Sequence, residues 1–181
     1  MENLLSKIEL RSHLKKLRSS LQADRREEAS SALLFQLLPK LDPFKSVLSF
    51  ASFSDEIDTA LINLYLARSG KLALPRISGD SLEFFMVSNP HGHLIPNAFG
   101  LLEPNPKFCR KIEPCYLDSI LVPALGFDHR NHRLGYGGGF YDRFLKFIPE
   151  IQTIGIGFKE QLIPLIPSHD FDIPLEKVYL F

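Results

Sequence analysis

The residues with the densest chemical potential lie between Arg133 and Arg143, in the run RLGYGGGFYDR. Gly135, Gly137, Gly138 and Gly139 stand here together, out of 11 glycines in the chain, interleaved with Arg133, Asp142 and Arg143. Glycine loses more backbone freedom on folding than any other residue, so a cluster of it marks positive φ angles or close approach of backbone to another group. An apolar run, Ile120 to Leu125, precedes the glycines and reads as a buried strand. The spacing of Phe144, Leu145, Phe147 and Ile148 after them predicts a helix from Tyr141 to Ile148. Strand, glycine loop and helix start form an arrangement that points free backbone N–H groups at an anion. Two familiar loops are excluded. A Walker loop needs Gly-Lys-Ser or Gly-Lys-Thr, and no lysine follows the glycines before Lys146. A dinucleotide fingerprint needs an acidic residue about 20 positions on, where this chain has Lys159.

Three further groups have charge suited to an anionic ligand and its counter-ion. Lys7, Arg11, Lys15 and Arg18 follow one another at helical spacing, forming a basic stripe with few acidic partners in its own segment. Glu56 follows an apolar run, Ser46 to Ala51, in the position where ligands gather beyond the carboxyl ends of parallel strands. Asp170 and Asp172 stand close together in a proline-punctuated tail, as a turn or as metal ligands.

The elements that must position these groups read as α/β. Leu10, Leu14, Leu17 and Leu21 predict a helix over residues 4–21, and Asp24 to Glu27 resembles a capping box opening a second helix that ends near Leu38, before Pro39. Strand 46–51, a turn, a helix from Asp58 to Arg68 and strand 71–75 make a βαβ unit, hence a parallel sheet. Residues 81–88 read as an antiparallel or edge strand, 89–114 as mostly irregular with five prolines, and 153–158 as another buried strand. The expectation is a single three-layer domain over 1–181, with a mostly parallel central sheet and helices on both faces. Phe50, Phe53, Phe84, Phe85 and Tyr116 suit either the core or an aromatic-lined pocket.

Bulk composition narrows the partners. Lys plus Arg and Asp plus Glu are 21 each, so no overall field attracts nucleic acid or a membrane surface, and an anion site must be local. Cys109 and Cys115 form neither a disulfide framework nor a zinc pattern. No signal core or span of ~20 apolar residues is present. A cytoplasmic monomer is expected.

Taken together, Leu121-Val122-Pro123, Phe127-Asp128 and Arg133-Leu134-Gly135-x-Gly-x-Gly-Phe140-Tyr141-Asp142 resemble the signature of the 5-formyltetrahydrofolate cyclo-ligase family. The likeness extends to Lys7-x-x-Leu10-Arg11, Asp55-Glu56-Ile57-Asp58-Thr59, Leu74-Pro75-Arg76 and Glu103-Pro104, in order over almost the whole chain. Phe140 stands where the family often has tyrosine, and Asn131 where it usually has a glycine whose left-handed conformation asparagine tolerates.

The resemblance implies ATP-dependent closure of 5-formyltetrahydrofolate, with or without a polyglutamate tail, to 5,10-methenyltetrahydrofolate, with Mg2+ as cofactor. It implies that Lys7 and Arg11, and by extension Arg18, bind ATP, and that Arg133, Leu134, Gly135, Tyr136, Gly137, Gly138, Gly139, Phe140 and Tyr141 wrap the nucleotide. Tyr136 to Phe140 would also touch the folate with Ala51 and Glu56. Arg133 and Tyr141 would serve the reacting groups, and Asp142 would hold the metal with Asp172, preferred over Asp170. The alternative from another class is a non-catalytic nucleotide or folate binder on the same fold.

Overall fold

The structure is a computed structural model and describes residues 6–148, 150–167, 169 and 172–181. Its helices are α1 (Lys7–Ser19), α2 (Ala23–Leu41), α3 (Ala60–Arg68) and α4 (Phe140–Leu145). The central sheet uses β1 (Val47–Leu48), β2 (Leu72–Ser78), β3 (Ser81–Met86), β6 (Arg110–Ile112), β7 (Ser119–Pro123), β10 (Gln152–Gly157) and β12 (Lys177–Leu180), in the order β12-β10-β7-β1-β2-β3-β6. The first five run parallel, while β3 is antiparallel to both β2 and β6. A ribbon of β4 (Leu94–Pro96) and β5 (Leu102–Pro104) and a small sheet of β8 (Gly126–Asp128), β9 (Arg133–Leu134) and β11 (Leu162–Ile163) complete the described strands.

The parallel strands are buried on both sides, which is why they read as apolar runs rather than alternating ones. Alternate residues serve opposite cores. Val47, Leu72, Leu121 and Ile154 face α2 and α3, packing with Leu33, Leu37, Ile62 and Leu66. Leu48, Ala73, Ile120 and Val122 face the other side, packing with Phe144 and Leu145 of α4 and with Phe127. Leu10 and Leu14 of α1 form a third cluster with Leu125, Leu134 and Ile166. The expected three layers are present.

The chain leaves β1 through α3 to β2 on one side, then returns to place β7 on the other side of β1. Loops beyond the carboxyl ends of β1 and β7 therefore diverge, opening the crevice where open α/β sheets bind ligands. Residues 49–59 follow β1, and the β8–β9 hairpin with the glycine loop follows β7.

Several boundaries differ from the sequence reading. Helix α1 is opened by a capping box at Ser6, whose hydroxyl accepts from Glu9 N–H, so it starts later than residue 4. At α2 no capping box forms at Asp24; Gln22 is the N-cap and Asp24 lies inside the first turn. The helix also runs through Pro39 to Leu41. Proline removes one backbone donor near the end, while Leu37 and Leu41, both fully buried, reward continuing the turn. Residues 89–114 are mostly irregular, as expected, but include the short strands β4, β5 and β6. Buried Glu103 accepts from Ile77 N–H and Asn97 Nδ2, and Arg76 donates to Pro104 O, which ties β5 to β2. Of the two alternatives for residues 81–88 the antiparallel one holds, and β3 is not an edge because β6 pairs with its outer side.

Gly155 is closely packed from two sides of the chain. A Cβ there would stand 2.6 Å from Phe127 Cε1 and 2.8 Å from Leu175 Cδ1. Overpacking of this kind costs about 1–3 kcal/mol, so Gly155→Ala is expected to lower the melting temperature by roughly 2–4 °C per kcal/mol. An unchanged thermal melt would show that Phe127 and Leu175 yield freely.

Candidate functional site

Four pieces of chain meet at the crevice: α1, the loop after β1, the carboxyl end of β7 and the glycine loop. Arg18 of α1 joins all of them. Its side chain is 3% exposed. Its Nε and Nη2 donate to Asp55 Oδ1 at 3.0 and 2.6 Å, Nη1 to Ala124 O at 3.4 Å, and Nη2 also to the Tyr136 hydroxyl oxygen at 2.6 Å. The Tyr136 hydroxyl in turn donates to Glu56 Oε1 at 2.7 Å, while Glu56 Oε2 accepts from Phe53 N–H at 3.0 Å. Burial pushes the Glu56 carboxyl above its usual range, against the opposing pull of the Phe53 N–H, Tyr136 and Arg18. Burial and the Glu56 charge likewise raise the Tyr136 phenol. The bridge between the two loops is therefore a neutral phenol held between a cation and a carboxylate.

The glycine loop is held by its own backbone conformation and by arginines. Gly137 has φ of 108°, and Gly139, the N-cap of α4, has φ of 65°, regions where a Cβ is strained. Arg11 Nε donates to Gly135 O at 2.9 Å, with its guanidinium beside Gly137. Upstream, Asn131 adopts φ of 61°, the left-handed conformation expected of it. Buried Asp128 accepts from Arg130 N–H, His132 N–H and Ile166 N–H, which fixes the β8–β9 hairpin that launches the loop.

A second cluster surrounds Arg133. Its guanidinium, 5% exposed, pairs with Asp142 Oδ1 at 2.5 Å and donates to Ile173 O at 2.8 Å. Burial lowers its affinity for a proton, opposed by the charges of Asp142 and Asp172 nearby, yet a guanidinium stays charged. Lys7 Nζ pairs with Asp172 Oδ2 at 2.6 Å, and the same oxygen accepts from His169 N–H. Burial would raise the Asp172 carboxyl, but these contacts outweigh it and hold it below the usual aspartate range. Tyr141 lies within the influence of Arg133, Glu56 and Tyr136, and burial raises its phenol. Asp170 lies outside the described residues.

The structure thus brings Lys7, Arg11, Arg18, Glu56, Arg133, Tyr136, Tyr141, Asp142 and Asp172 to one end of the sheet, with Ala51 half-buried in the loop that carries Glu56. It does not leave the basic stripe as a row of unpaired cations. Lys7 is paired with Asp172, and Arg18 is buried against Asp55, partners distant in sequence that helical spacing cannot reveal. Asp55 is a residue sequence reasoning passed over as an individual; its place beside Glu56 was the available signal. Of the five aromatics weighed for a pocket, Phe50, Phe84 and Phe85 are core and Tyr116 is exposed elsewhere. Phe53 lines a cleft of about 340 Å³ with Lys15, Lys16, Arg18, Asp55 and Tyr136. A larger hollow of about 740 Å³ lies around Phe44, Pro114 and Phe147 at the opposite end of the strands. There Asp118 is already bonded to Lys45 N–H and Ser46 N–H, so size alone is a poor guide.

A model of the 5-formyltetrahydrofolate cyclo-ligase family matches residues 3–180. The 5-formyltetrahydrofolate cyclo-ligase of Mus musculus is 31% identical over 183 residues, covering 93% of this chain and 90% of that protein. The enzyme of that name from Haemophilus influenzae is 28% identical over 184 residues, 96% of each chain. Among solved structures, the 5,10-methenyltetrahydrofolate synthetase of Aquifex aeolicus aligns with a TM-score of 0.84 at 29% identity, covering 95% of this chain and 88% of that one.

Glu56 gives the site a pH signature. A carboxyl whose folded pKa is raised favours the fold below its unfolded value, and that contribution is lost as pH rises through the folded value. Wild type should therefore lose stability relative to Glu56→Gln as pH rises above the ordinary glutamate value of 4.5. Thermal melts of both proteins across that rise test it. Parallel pH profiles would mean that the buried carboxyl is not perturbed.

Proposed function

The chain belongs to the 5-formyltetrahydrofolate cyclo-ligase family, and on that premise we propose that it closes 5-formyltetrahydrofolate to 5,10-methenyltetrahydrofolate while ATP becomes ADP and phosphate. The observation that carries the reading is the junction of the glycine loop and the Glu56 loop through Tyr136, at the crevice between β1 and β7. An anion-binding loop and a folate-binding carboxylate are thereby held within one hydrogen-bonded unit.

The substrate sets the requirement. An N-formyl group is an amide, and its resonance, seen in a rotation barrier of about 18–20 kcal/mol, makes the carbonyl a poor electrophile. Transfer of the γ-phosphoryl group to the formyl oxygen breaks the terminal phosphoanhydride bond, forms an O–P bond and releases ADP. The neighbouring folate amine then attacks the formyl carbon, the C–O bond breaks, and the oxygen leaves with the phosphate. In the overall balance the amine proton leaves with phosphate too. Catalysis of this kind is mostly positioning and charge stabilisation.

Each residue has a role suited to its surroundings. Lys7 and Arg11, at the mouth of the loop, bind ATP phosphates, and Arg133 to Tyr141 wrap the nucleotide. Arg133 places a permanent charge beside the transferring group. Tyr141, its phenol raised by burial, stays protonated and acts as a hydrogen-bond donor rather than a base. Glu56 and Ala51 hold the folate together with Tyr136 to Phe140. Arg18, with its donors turned to Asp55, Ala124 and Tyr136, orients that carboxylate instead of contacting phosphate.

Among the described residues no group of three or more metal-ligating side chains occurs. Asp142 and Asp172, 34% and 25% exposed, flank Arg133. Two hard carboxylates suit Mg2+, which keeps several waters and draws other ligands from substrate phosphates. Bound there, the ion would neutralise charge on the phosphates. Both cysteines are free, and among the described residues no helix is long and apolar enough to cross a membrane.

The purified protein is expected to generate the methenyl chromophore from 5-formyltetrahydrofolate only with ATP and magnesium. Asp142→Asn should raise the magnesium requirement at least ~10-fold. Wild-type protein that binds ATP but forms no chromophore would instead be a non-catalytic binder.

A further inference from the structure

Arg143 lies one position beyond the motif, and the proposed chemistry gives it no task. Its side chain is exposed, yet its guanidinium is committed on both sides. Nη1 donates to Gly138 O at 2.8 Å, inside the glycine loop. Nε and Nη2 donate to Asp80 O at 3.2 and 2.9 Å, at the turn between β2 and β3. The guanidinium carbon also lies over the Phe140 ring, 5.0 Å from its centroid. Space for this arrangement is specific: a Cβ on residue 139 would stand 2.9 Å from Arg143 Nη1. Gly139 therefore admits the arginine as well as the positive φ.

We propose that Arg143 is a positioning residue that ties the glycine loop to the β2–β3 turn and so fixes the direction of the loop amides. The peptide unit is planar and trans, so holding the Gly138 carbonyl fixes the Gly139 N–H, which points the opposite way within the same plane. Arg11 does the same to the next pinned unit, Gly135–Tyr136, through the Gly135 carbonyl. The two arginines thus grip carbonyls at either end of the glycine run. The planar fork of Arg143 spans two acceptors at once, a geometry an ammonium on a flexible stem does not reproduce. The β2–β3 hairpin gains a purpose as a strut: its turn, with Gly79 at φ of 58°, supplies the carbonyl against which the loop is braced. The consequence for turnover rests on the cyclo-ligase reading, whereas the bracing itself does not.

Two measurements on Arg143→Ala and Arg143→Lys separate these. In the ligand-free proteins, amide hydrogen exchange over residues 135–139 is expected to be about 10-fold faster in both variants than in wild type. In turnover, the KM for ATP is expected to rise about 10-fold in both, with the KM for the folate, which the same loop holds, rising too and the melting temperature unchanged. Unaltered loop exchange in Arg143→Ala overturns the proposal. So does recovery of the wild-type ATP KM in Arg143→Lys, which would make Arg143 a charge contacting phosphate directly. A fall in melting temperature with both KM values unchanged would reduce it to a general stabilising contact and also overturn it. Faster loop exchange in both variants, with no turnover even in wild type, would uphold the bracing and remove the cyclo-ligase reading.

Discussion

A buried guanidinium is the constraint around which this site is built. Removing an unpaired charge from water is costly, so Arg18 persists at 3% exposure only because Asp55, Ala124 O and Tyr136 surround it. Each partner belongs to a different stretch of chain. Arg26 of α2 reinforces the same junction by donating to the carbonyls of Arg18 and Asp55. Satisfying one cation thus fixes the position of α1, the loop after β1 and the glycine loop relative to the end of β7. Loss of either charge would leave the other without its partner, so the junction is favoured as a whole and not in parts.

This explains how a glycine-rich loop can be ordered. Fixing the backbone of one residue costs about 1–2 kcal/mol, and glycines lie at the high end. The run from Gly135 to Gly139 has few side chains with which to offset that cost. The compensation comes from outside the run: Arg11 on the Gly135 carbonyl, Tyr136 between Arg18 and Glu56, and Arg143 on the Gly138 carbonyl. A loop held from its carbonyl side keeps its N–H groups available, which is what anion binding requires.

The parts of the fold legible in the sequence are those whose cause is local or continuous. Strands near 47, 72, 120 and 154 stood out because a parallel strand covered on both faces must be apolar throughout. The glycine loop stood out by composition, and Asn131 by its tolerance of positive φ. What escaped depends on pairing across the chain. The strands β4, β5, β8 and β9 are two or three residues long and too short for any period to register. Pro39 looked like a helix stop because the burial of Leu41 against the far side of the core is not a local property. Most telling, the cations of α1 looked unpaired, since Asp172 and Asp55 lie 165 and 37 residues from their partners. Resemblance to the family named these residues but not what each one touches.

Those pairings also solve an electrostatic problem. The chain is neutral overall, yet Lys7, Arg11, Arg18 and Arg133 converge on one end of the sheet, where like charges repel. Asp172, Asp55 and Asp142 balance three of them within the folded protein, and Arg11 rests on a carbonyl dipole. On the proposed reading the balance is of two kinds. The Arg18–Asp55 pair is buried and belongs to the scaffold, so its geometry should survive ligand binding. Lys7 with Asp172 is partly exposed on both sides, at 20% and 25%, so its strength is modest, while Arg133 is buried at 5% and only its partner Asp142, at 34%, reaches solvent. Both carboxylates are open to solvent and can exchange partners when a metal ion meets them, provided that phosphate replaces them at the cations, a condition stricter for buried Arg133 than for Lys7. The same charges that keep the site from repelling itself are then the ones a metal–nucleotide complex would neutralise.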